Sequence, residues 1–140
     1  YNTMKYGFIF AVFFLLGCSE NSVERNPHLF ETRFDQSINL ALPAFDNLNF
    51  QGGSMYWPNG GIKGLLLFNL AGTIMAWEAS CPNHTPSSCS TTQLNGVTAF
   101  CPCEDYQYSL ATGQPLTEGA TYSLLFYKVQ QNGTTVRIYN

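Results

Sequence analysis

The apolar and polar positions of this chain alternate in short runs that predict strands rather than helices. In the run SINLALPAF, apolar residues fall at Ile38, Leu40 and Leu42, a period of two that is typical of a half-buried strand. By contrast, the stretch GGSMYWPNGGIKG (52–64) is rich in glycine and predicts turns. No amphipathic helix of useful length is visible, so we expect an all-β fold.

Three hairpins follow from the same patterning. The run GLLLFNLAGTIMAWEAS predicts arms at 65–70 and 73–78 joined by a turn at Ala71-Gly72. Two Asn-Gly pairs, Asn95-Gly96 and Asn132-Gly133, each lie between strand-like segments. Asn-Gly accepts positive φ at both turn positions, so these pairs predict two further hairpins.

The N-terminal residues predict an export signal. Met4 and Lys5 are followed by an apolar run from Phe8 to Leu16 and then by Gly17 and Cys18. A run this short does not span a bilayer as a stable helix, and it suits a signal peptide. We therefore expect residues 1–17 to be a signal peptide, with 1–3 a start-site artefact.

The end of that signal is similar to a bacterial lipobox. In Leu15-Leu16-Gly17-Cys18 the signal would be cut before Cys18, and the thiol would be acylated. Several acyl chains would hold the protein on a membrane, since each buried methylene contributes ~0.8 kcal/mol. We expect a lipid-anchored protein of the bacterial cell envelope, outside the cytoplasm, with the outer membrane as its location. Disulfides persist in such a compartment.

After Cys18 the composition divides the chain in two. Residues 18–33 are polar and contain Asn26-Pro27, which predicts a lipidated N-terminus and linker with a solvated His28. Residues 34–140 contain all the predicted strands and suit one domain. The whole chain carries a net charge of −3 and only six Lys and Arg, so a nucleic-acid partner is not expected.

Four cysteines remain when Cys18 is set aside. They lie in two loops, CPNHTPSSC (81–89) and CPCEDYQYSLATGQPLTEGA (101–120), separated by one short hairpin. Both loops should therefore leave the sheet at the same end, which brings the four thiols together. An even number favours two disulfides or one disulfide plus two metal ligands.

Two cysteine loops around a hairpin resemble a Rieske iron–sulfur domain, over roughly 65–139. The second loop matches the family in register at Cys101-Pro102-Cys103, Tyr108, Thr112-Gly113 and Gly119-Ala120. The resemblance implies an antiparallel β-sandwich with a small two-loop subdomain, of the type that binds a cluster, pinned by disulfides. It also implies that Cys81 and Cys101 match the thiolate ligands, while Cys89 and Cys103 match the family's disulfide.

The departures from the family fall on the metal ligands. A Rieske centre uses two thiolates and two imidazoles. Asn83 occupies the first histidine position, with His84 one residue later, and Glu104 occupies the second. The Gly-Ser that follows has become Asp105-Tyr106, so the serine hydroxyl that supports the cluster is missing. Glutamate is a charged, hard donor and a poor substitute for imidazole.

These departures imply a domain without a metal. With no cluster, Cys81 and Cys101 would face each other in an oxidising compartment and form a second disulfide beside Cys89–Cys103. We expect no cofactor and no catalytic residue, and a structural or partner-binding role toward an envelope protein. Glu104 and Asp105 would form a solvated acidic loop tip.

Three alternatives stay open. An atypical [2Fe–2S] electron carrier would use Cys81, His84, Cys101 and Glu104 as ligands. A zinc site would use Cys81, His84, Cys101 and Cys103. Thiol–disulfide exchange at Cys101-Pro102-Cys103 would need a thiol of lowered pKa, which two neighbouring carboxylates oppose.

Overall fold

A computed structural model describes residues 25–140, so the predicted signal peptide and Cys18 lie outside the described residues. Nine strands and one 3₁₀ helix make up this part of the chain. In chain order they are β1 (Asp35–Asn39), the 3₁₀ helix (Pro43–Asn49), β2 (Ser54–Trp57), β3 (Leu65–Leu70), β4 (Thr73–Glu78), β5 (Gln93–Asn95), β6 (Thr98–Cys101), β7 (Tyr106–Ser109), β8 (Phe126–Asn132) and β9 (Thr135–Tyr139). The all-β prediction is confirmed. Within residues 25–140, no helix is long and apolar enough to cross a membrane.

The strands form two antiparallel sheets. The larger has the order β1-β9-β8-β4-β3-β2, and the smaller has the order β5-β6-β7. The smaller sheet and the two cysteine loops make up the subdomain that the sequence predicts. The fold class is therefore confirmed, an antiparallel β architecture with a small disulfide-bonded subdomain.

Strand β3 lies between two hydrophobic cores, which explains its apolar run at 65–68. Leu65 and Leu67 belong to the core of the larger sheet, whereas Leu66 and Phe68 belong to the core of the cysteine subdomain. Successive side chains of a strand point to opposite faces, so a segment that is covered on both faces is apolar at consecutive positions. The β3–β4 hairpin is thus the element that holds the two parts together.

All three predicted hairpins are present, with a difference in their turns. Ala71 and Gly72 both have positive φ (50° and 95°), as a two-residue type I′ turn requires. At the other two hairpins the loop residues are Gly96-Val97 and Gly133-Thr134, and the asparagines close the strand ladders. There only the glycine has positive φ, which suits a type II′ turn.

Two local predictions were wrong. The strand predicted through Leu42 ends at Asn39, whose Oδ1 accepts a hydrogen bond from the Ala41 amide at 2.9 Å. Leu42 is 51% exposed, and the 3₁₀ helix that starts at Pro43 supplies the buried side chains instead. The glycine-rich stretch 52–64 contains strand β2, which pairs with β3.

The segment before β1 packs on the domain. Asn26 Nδ2 donates to the Pro82 carbonyl at 2.8 Å, and Leu29 is buried. His28 is half-buried, with its ring edge-to-face against Tyr122 at 5.6 Å between centroids, rather than fully solvated. The described part of the predicted linker therefore lies against the cysteine subdomain.

Candidate functional site

The two cysteine loops meet because strands β4 and β6 bring their ends to the same place. Cys81 lies just beyond β4, and its amide donates to the Ser90 carbonyl at 2.7 Å. Cys101 is the last residue of β6. The structure joins Cys81 to Cys101 and Cys89 to Cys103, with Cα–Cα distances of 5.8 and 5.4 Å. This is the pairing that the family resemblance implied.

The two disulfides differ in burial. Cys81 and Cys101 are both fully buried in the core of the subdomain, next to Tyr108 and Leu110. Cys89 is exposed and Cys103 is half-buried, so solvent reaches the second disulfide. A reductant in solution therefore meets the Cys89–Cys103 bond first.

Asn83, at the first histidine position of the family, acts as a structural anchor. Its Nδ2 donates to the Tyr108 hydroxyl at 2.6 Å and to the Tyr122 carbonyl at 3.0 Å. Its Oδ1 accepts from the amides of Thr121 and Tyr122 at 2.9 and 2.8 Å. All the hydrogen-bonding capacity of the amide is used to fasten the loop at 119–122 to the subdomain.

His84 lies at the centre of the site. Its Nδ1 contacts Glu104 Oε1, and its Nε2 is 2.8 Å from the Ser90 hydroxyl. Glu104 Oε2 is 3.7 Å from Cys101 Sγ. The His84 and Glu104 side chains keep 20% and 25% of their surface exposed, so the pair lies between the buried disulfide and solvent.

Ser90 is a partner of His84 that no motif in the sequence indicates. Glu104, His84 and Ser90 are hydrogen-bonded in a row, an order that nucleophilic hydrolases also use. Ser90 is fully buried, however, and its Oγ accepts from the Ser87 amide at 2.6 Å. A buried hydroxyl cannot attack a substrate, so this row is structural. No signal in the sequence marks Ser90, because it lies six residues after His84 in an irregular, proline-rich loop.

The predicted solvated acidic loop tip is present only at Asp105, because Glu104 is half-buried against His84. The φ of Asp105 is 61°, in the left-handed region that favours glycine, and its amide donates to the Cys101 carbonyl at 3.0 Å. Asp105 is exposed, whereas Glu104 is half-buried. The glycine-like backbone turn is thus kept, although an acidic residue now occupies it.

The Thr112-Gly113 turn packs against the ring of Trp77. Gly113 has a φ of 74°, and a Cβ there would come within 2.6 Å of the Trp77 ring. Trp77 in turn donates from Nε1 to the Leu110 carbonyl at 2.8 Å. Glycine is needed at this position because the indole ring occupies the space of a side chain.

Burial also changes the acidity of Tyr108. Its removal from water raises the pKa of its hydroxyl to about 12, and the hydrogen bond from Asn83 opposes part of that rise. The nearby Glu104 adds to the rise. The phenol is therefore neutral at physiological pH and accepts the Asn83 hydrogen bond in that form.

An open groove of about 700 Å³ lies beside the site rather than over it. Its lining is formed by the segment before β1 and the chain that leads into β8, and it contains Arg25, Asn26, Glu31, Thr121, Tyr122, Ser123, Leu124, Leu125 and Phe126. His84, Glu104 and the cysteines are absent from this lining. The groove therefore does not present the chemically reactive side chains to a substrate.

The residues present do not match a Rieske centre. Such a centre needs two imidazoles and two thiolates. The two histidine positions of the family hold Asn83 and Glu104, so the only imidazole at the site is that of His84. The amide of Asn83 is also fully hydrogen-bonded elsewhere. What the site does bring together is Cys81, Cys101 and His84, whose ligand atoms lie within 4.8 Å of one another.

Comparison with known proteins identifies the fold. The ferredoxin of carbazole 1,9a-dioxygenase from Nocardioides aromaticivorans IC177 is 15% identical, and the match covers 77% of this chain and 97% of the ferredoxin with a TM-score of 0.50. The cyanobacterial plasma membrane Rieske protein from Synechocystis PCC 6803 is 23% identical, with 72% and 97% covered and a TM-score of 0.50. The fold is Rieske-like.

No protein-family model matches the chain, and no curated protein matches it. The Rieske-like domain is thus established as a fold, and its chemistry depends on the residues described above.

Proposed function

We propose that this chain is a lipid-anchored protein of the bacterial cell envelope whose Rieske-like domain has lost its iron–sulfur cluster. In this proposal the domain is a structural or partner-binding module, and it carries no catalytic residue. The cysteines that would hold iron instead cross-link the two loops.

The pairing of Cys81 with Cys101 is the observation that supports this most strongly. These two residues are the family's thiolate positions, and here they share one fully buried disulfide. The histidine positions support the same conclusion, since Asn83 is committed to four hydrogen bonds and Glu104 is a hard oxygen donor. Each change removes a donor that a cluster needs.

The envelope location is supported by the sequence and by the disulfides. Leu15-Leu16-Gly17-Cys18 suits cleavage and acylation at Cys18, which would provide the membrane contact. Disulfides form and persist in compartments outside the cytoplasm. We place the protein at the outer membrane, with a protein of the envelope as its partner.

The second candidate is an atypical [2Fe–2S] electron carrier. The specific observation in its favour is that Cys81, His84 and Cys101 bring their ligand atoms within 4.8 Å. Glu104 contacts both His84 and Cys101 and would be the fourth ligand. This candidate requires both thiols to be free and an oxygen donor on iron.

Metal analysis of the purified protein separates the two candidates. The full chain is expressed with export and, in parallel, without its signal in a reducing cytoplasm, and both samples are purified anaerobically. We expect both to be colourless and free of iron, because the ligands and not only the redox state are unsuited to a cluster. We also expect the exported protein to have no thiol reactive toward Ellman's reagent, and peptide mapping to find Cys81–Cys101 and Cys89–Cys103.

A variant with the family's ligands provides the control. N83H/E104H restores two imidazoles beside the two cysteines, and we expect the cytoplasmic form of this variant to take up iron where the unmodified chain does not. About two irons per chain in the unmodified protein, or visible absorption bleached by dithionite, would overturn the cluster-free proposal in favour of the electron carrier.

A further inference from the structure

We propose that the reduced protein binds one divalent cation of the thiophilic class, with Zn²⁺ as the representative, through Cys81, Cys101, His84 and Glu104. The inference rests on the proposed function, because a chain that held an iron–sulfur cluster would already use these thiolates. It adds a redox-dependent property to the same site: a disulfide when oxidised, and a metal site when reduced.

Three of the four donors are already grouped at the scale of a single metal ion, and Glu104 lies beside two of them. The ligand atoms of Cys81, His84 and Cys101 lie within 4.8 Å of one another. Glu104 contacts His84 Nδ1 with one oxygen and lies 3.7 Å from Cys101 Sγ with the other. In a tetrahedral zinc site the ligands lie about 2.0–2.3 Å from the metal, so neighbouring donor atoms are about 3–4 Å apart. Small side-chain movements are therefore sufficient.

The chemistry of the set suits zinc better than iron. Zn²⁺ accepts thiolate sulfur, imidazole nitrogen and carboxylate oxygen in one tetrahedral site, and it has no requirement for a second imidazole. Two thiolates and one carboxylate also place negative charge around the cation. A single ion needs four donors here, whereas a Rieske cluster would need a second histidine in place of Glu104.

The backbone keeps the donors together after the disulfide opens. Cys101 is held in the β6–β7 ladder. Cys81 is held by the hydrogen bond from its amide to the Ser90 carbonyl. Both residues are buried in the core of the subdomain with Tyr108 and Leu110. These contacts do not depend on the sulfur–sulfur bond, so the two thiols stay facing each other.

The redox step is a thiol–disulfide exchange with a dithiol, and it requires local opening of the two loops because Cys81 and Cys101 are fully buried. A dithiol of the thiol–disulfide oxidoreductase class gives two electrons and two protons to Cys81–Cys101, so one S–S bond breaks, two S–H groups form, and the dithiol becomes a disulfide. Zn²⁺ then displaces the two thiol protons, which leave to solvent. For reoxidation, the disulfide form of such an oxidoreductase accepts two electrons from the thiolates and two protons from solvent, so the Cys81–Cys101 bond re-forms, the dithiol is regenerated and the metal is released.

Cobalt titration tests the inference, since Co²⁺ reports tetrahedral thiolate ligation by its colour. The variant C18S/C89S/C103S is used so that only Cys81 and Cys101 can bind through a thiolate. It is reduced anaerobically, freed of reductant and titrated with Co²⁺. We expect one equivalent per chain, with thiolate-to-cobalt charge transfer and tetrahedral bands that Zn²⁺ abolishes, and no binding by the oxidised protein.

Variants assign the ligands. We expect H84A and E104A, made in the same background, to bind cobalt at least about 10- to 100-fold more weakly, because loss of a ligand costs at least as much as loss of a group that only orients one. E104A should keep the charge-transfer band, because both thiolates remain. H84A keeps Cys81–Cys101, and its thermal unfolding in the oxidised state verifies that it folds. The exposed D105A is the matched acidic control and should bind like its parent.

The contrary results are equally clear. No cobalt binding by the reduced chain overturns the inference, and so does equal binding by H84A, which would indicate unstructured thiols. In the reduced full chain, binding that survives C81S/C101S and is lost in C89S/C103S would assign the metal to Cys89, Cys103 and His84 instead. If the cobalt titrations fail and the isolated protein contains no iron, the metal-site inference is wrong and the proposed function still stands. If the isolated protein contains iron, the proposed function is wrong whether or not the reduced protein binds cobalt.

Discussion

The carboxylates of Glu78, in the larger sheet, and Glu104, in the cysteine subdomain, obtain their hydrogen-bond partners in opposite ways. Glu78 is fully buried at the end of β4 and accepts four hydrogen bonds. The donors are the amides of Ile62, Lys63 and Ser80 at 2.8, 2.7 and 3.1 Å and the Tyr127 hydroxyl at 2.5 Å. Glu104 keeps a quarter of its side chain exposed and is paired with the single imidazole of His84.

The difference indicates a structural role for Glu78 and a place in the candidate site for Glu104. The donors to Glu78 are rigid backbone amides and a buried phenol, and a Cβ on Gly61 would collide with its Oε2, so no space is left for a ligand. Glu104 has one imidazole partner, a sulfur 3.7 Å away and access to solvent. Glu78 therefore fixes the loop before β3 to the sheet, whereas Glu104 is the carboxylate that would bind the ion in the proposed metal site.

The largest expected effect comes from changing the buried carboxylate. E78Q turns one acceptor oxygen into a donor NH₂ group that faces backbone amides, so at least one buried donor loses its partner. We expect a loss of about 3 kcal/mol in the free energy of unfolding, measured by urea denaturation of the oxidised protein.

E104Q is the matched control for that experiment. A part-exposed pair contributes little, so we expect a loss below about 1 kcal/mol. If E104Q proves as destabilising as E78Q, then Glu104 is as important to the fold as Glu78, and the distinction between the two carboxylates is wrong.

An intermediate effect is expected at Asn83. N83A removes four hydrogen bonds that join the loop at 119–122 to Tyr108 and the subdomain. We expect a loss of about 2 kcal/mol, because some of the freed groups gain water near the surface. N59A, at an exposed loop amide, should stay within about 0.5 kcal/mol of the unmodified protein. Equal stability of N83A and N59A would show that Asn83 is not an anchor.

The fold could be predicted largely from the sequence because its signals are local. Alternation, the Ala71-Gly72 turn and the two Asn-Gly pairs each act within a few residues, and each predicted hairpin is present. The strand through Leu42 failed because Pro43 starts a 3₁₀ helix, and a period of two cannot distinguish three alternating residues from a turn that follows a strand.

Within the site, only the features that the family resemblance implied could be predicted. The register of the two loops implied the cysteine pairing, but the roles of Asn83 and Glu78 depend on partners far along the chain. Asn83 bonds to residues 25 to 39 positions away, and Tyr127 is 49 positions from Glu78. No local pattern of residue types encodes contacts of that range.

The smallest expected effect is a dependence of stability on alkaline pH. Burial raises the pKa of Tyr108 to about 12, whereas a tyrosine in the unfolded chain titrates near 10. The folded protein therefore keeps its proton when the unfolded chain has lost it, so stability is level below about pH 10 and falls as the pH rises toward 12. Tyr127 contributes in the same direction, because burial and the neighbouring Glu78 raise the pKa of its hydroxyl.

Urea denaturation at pH 8 and pH 11 measures this effect. Tyr108 should account for a loss of about 1 kcal/mol between the two values, and Y108F should lack that part of the loss while Tyr127 keeps its own. Y108F is itself less stable at pH 8, because Asn83 loses an acceptor, so the difference between the two pH values is the quantity to compare. The same loss in Y108F as in the unmodified protein would mean that Tyr108 titrates no differently in the folded state. The hydroxyl that Asn83 holds would then lie in contact with water, and the subdomain would be more open than its burial indicates.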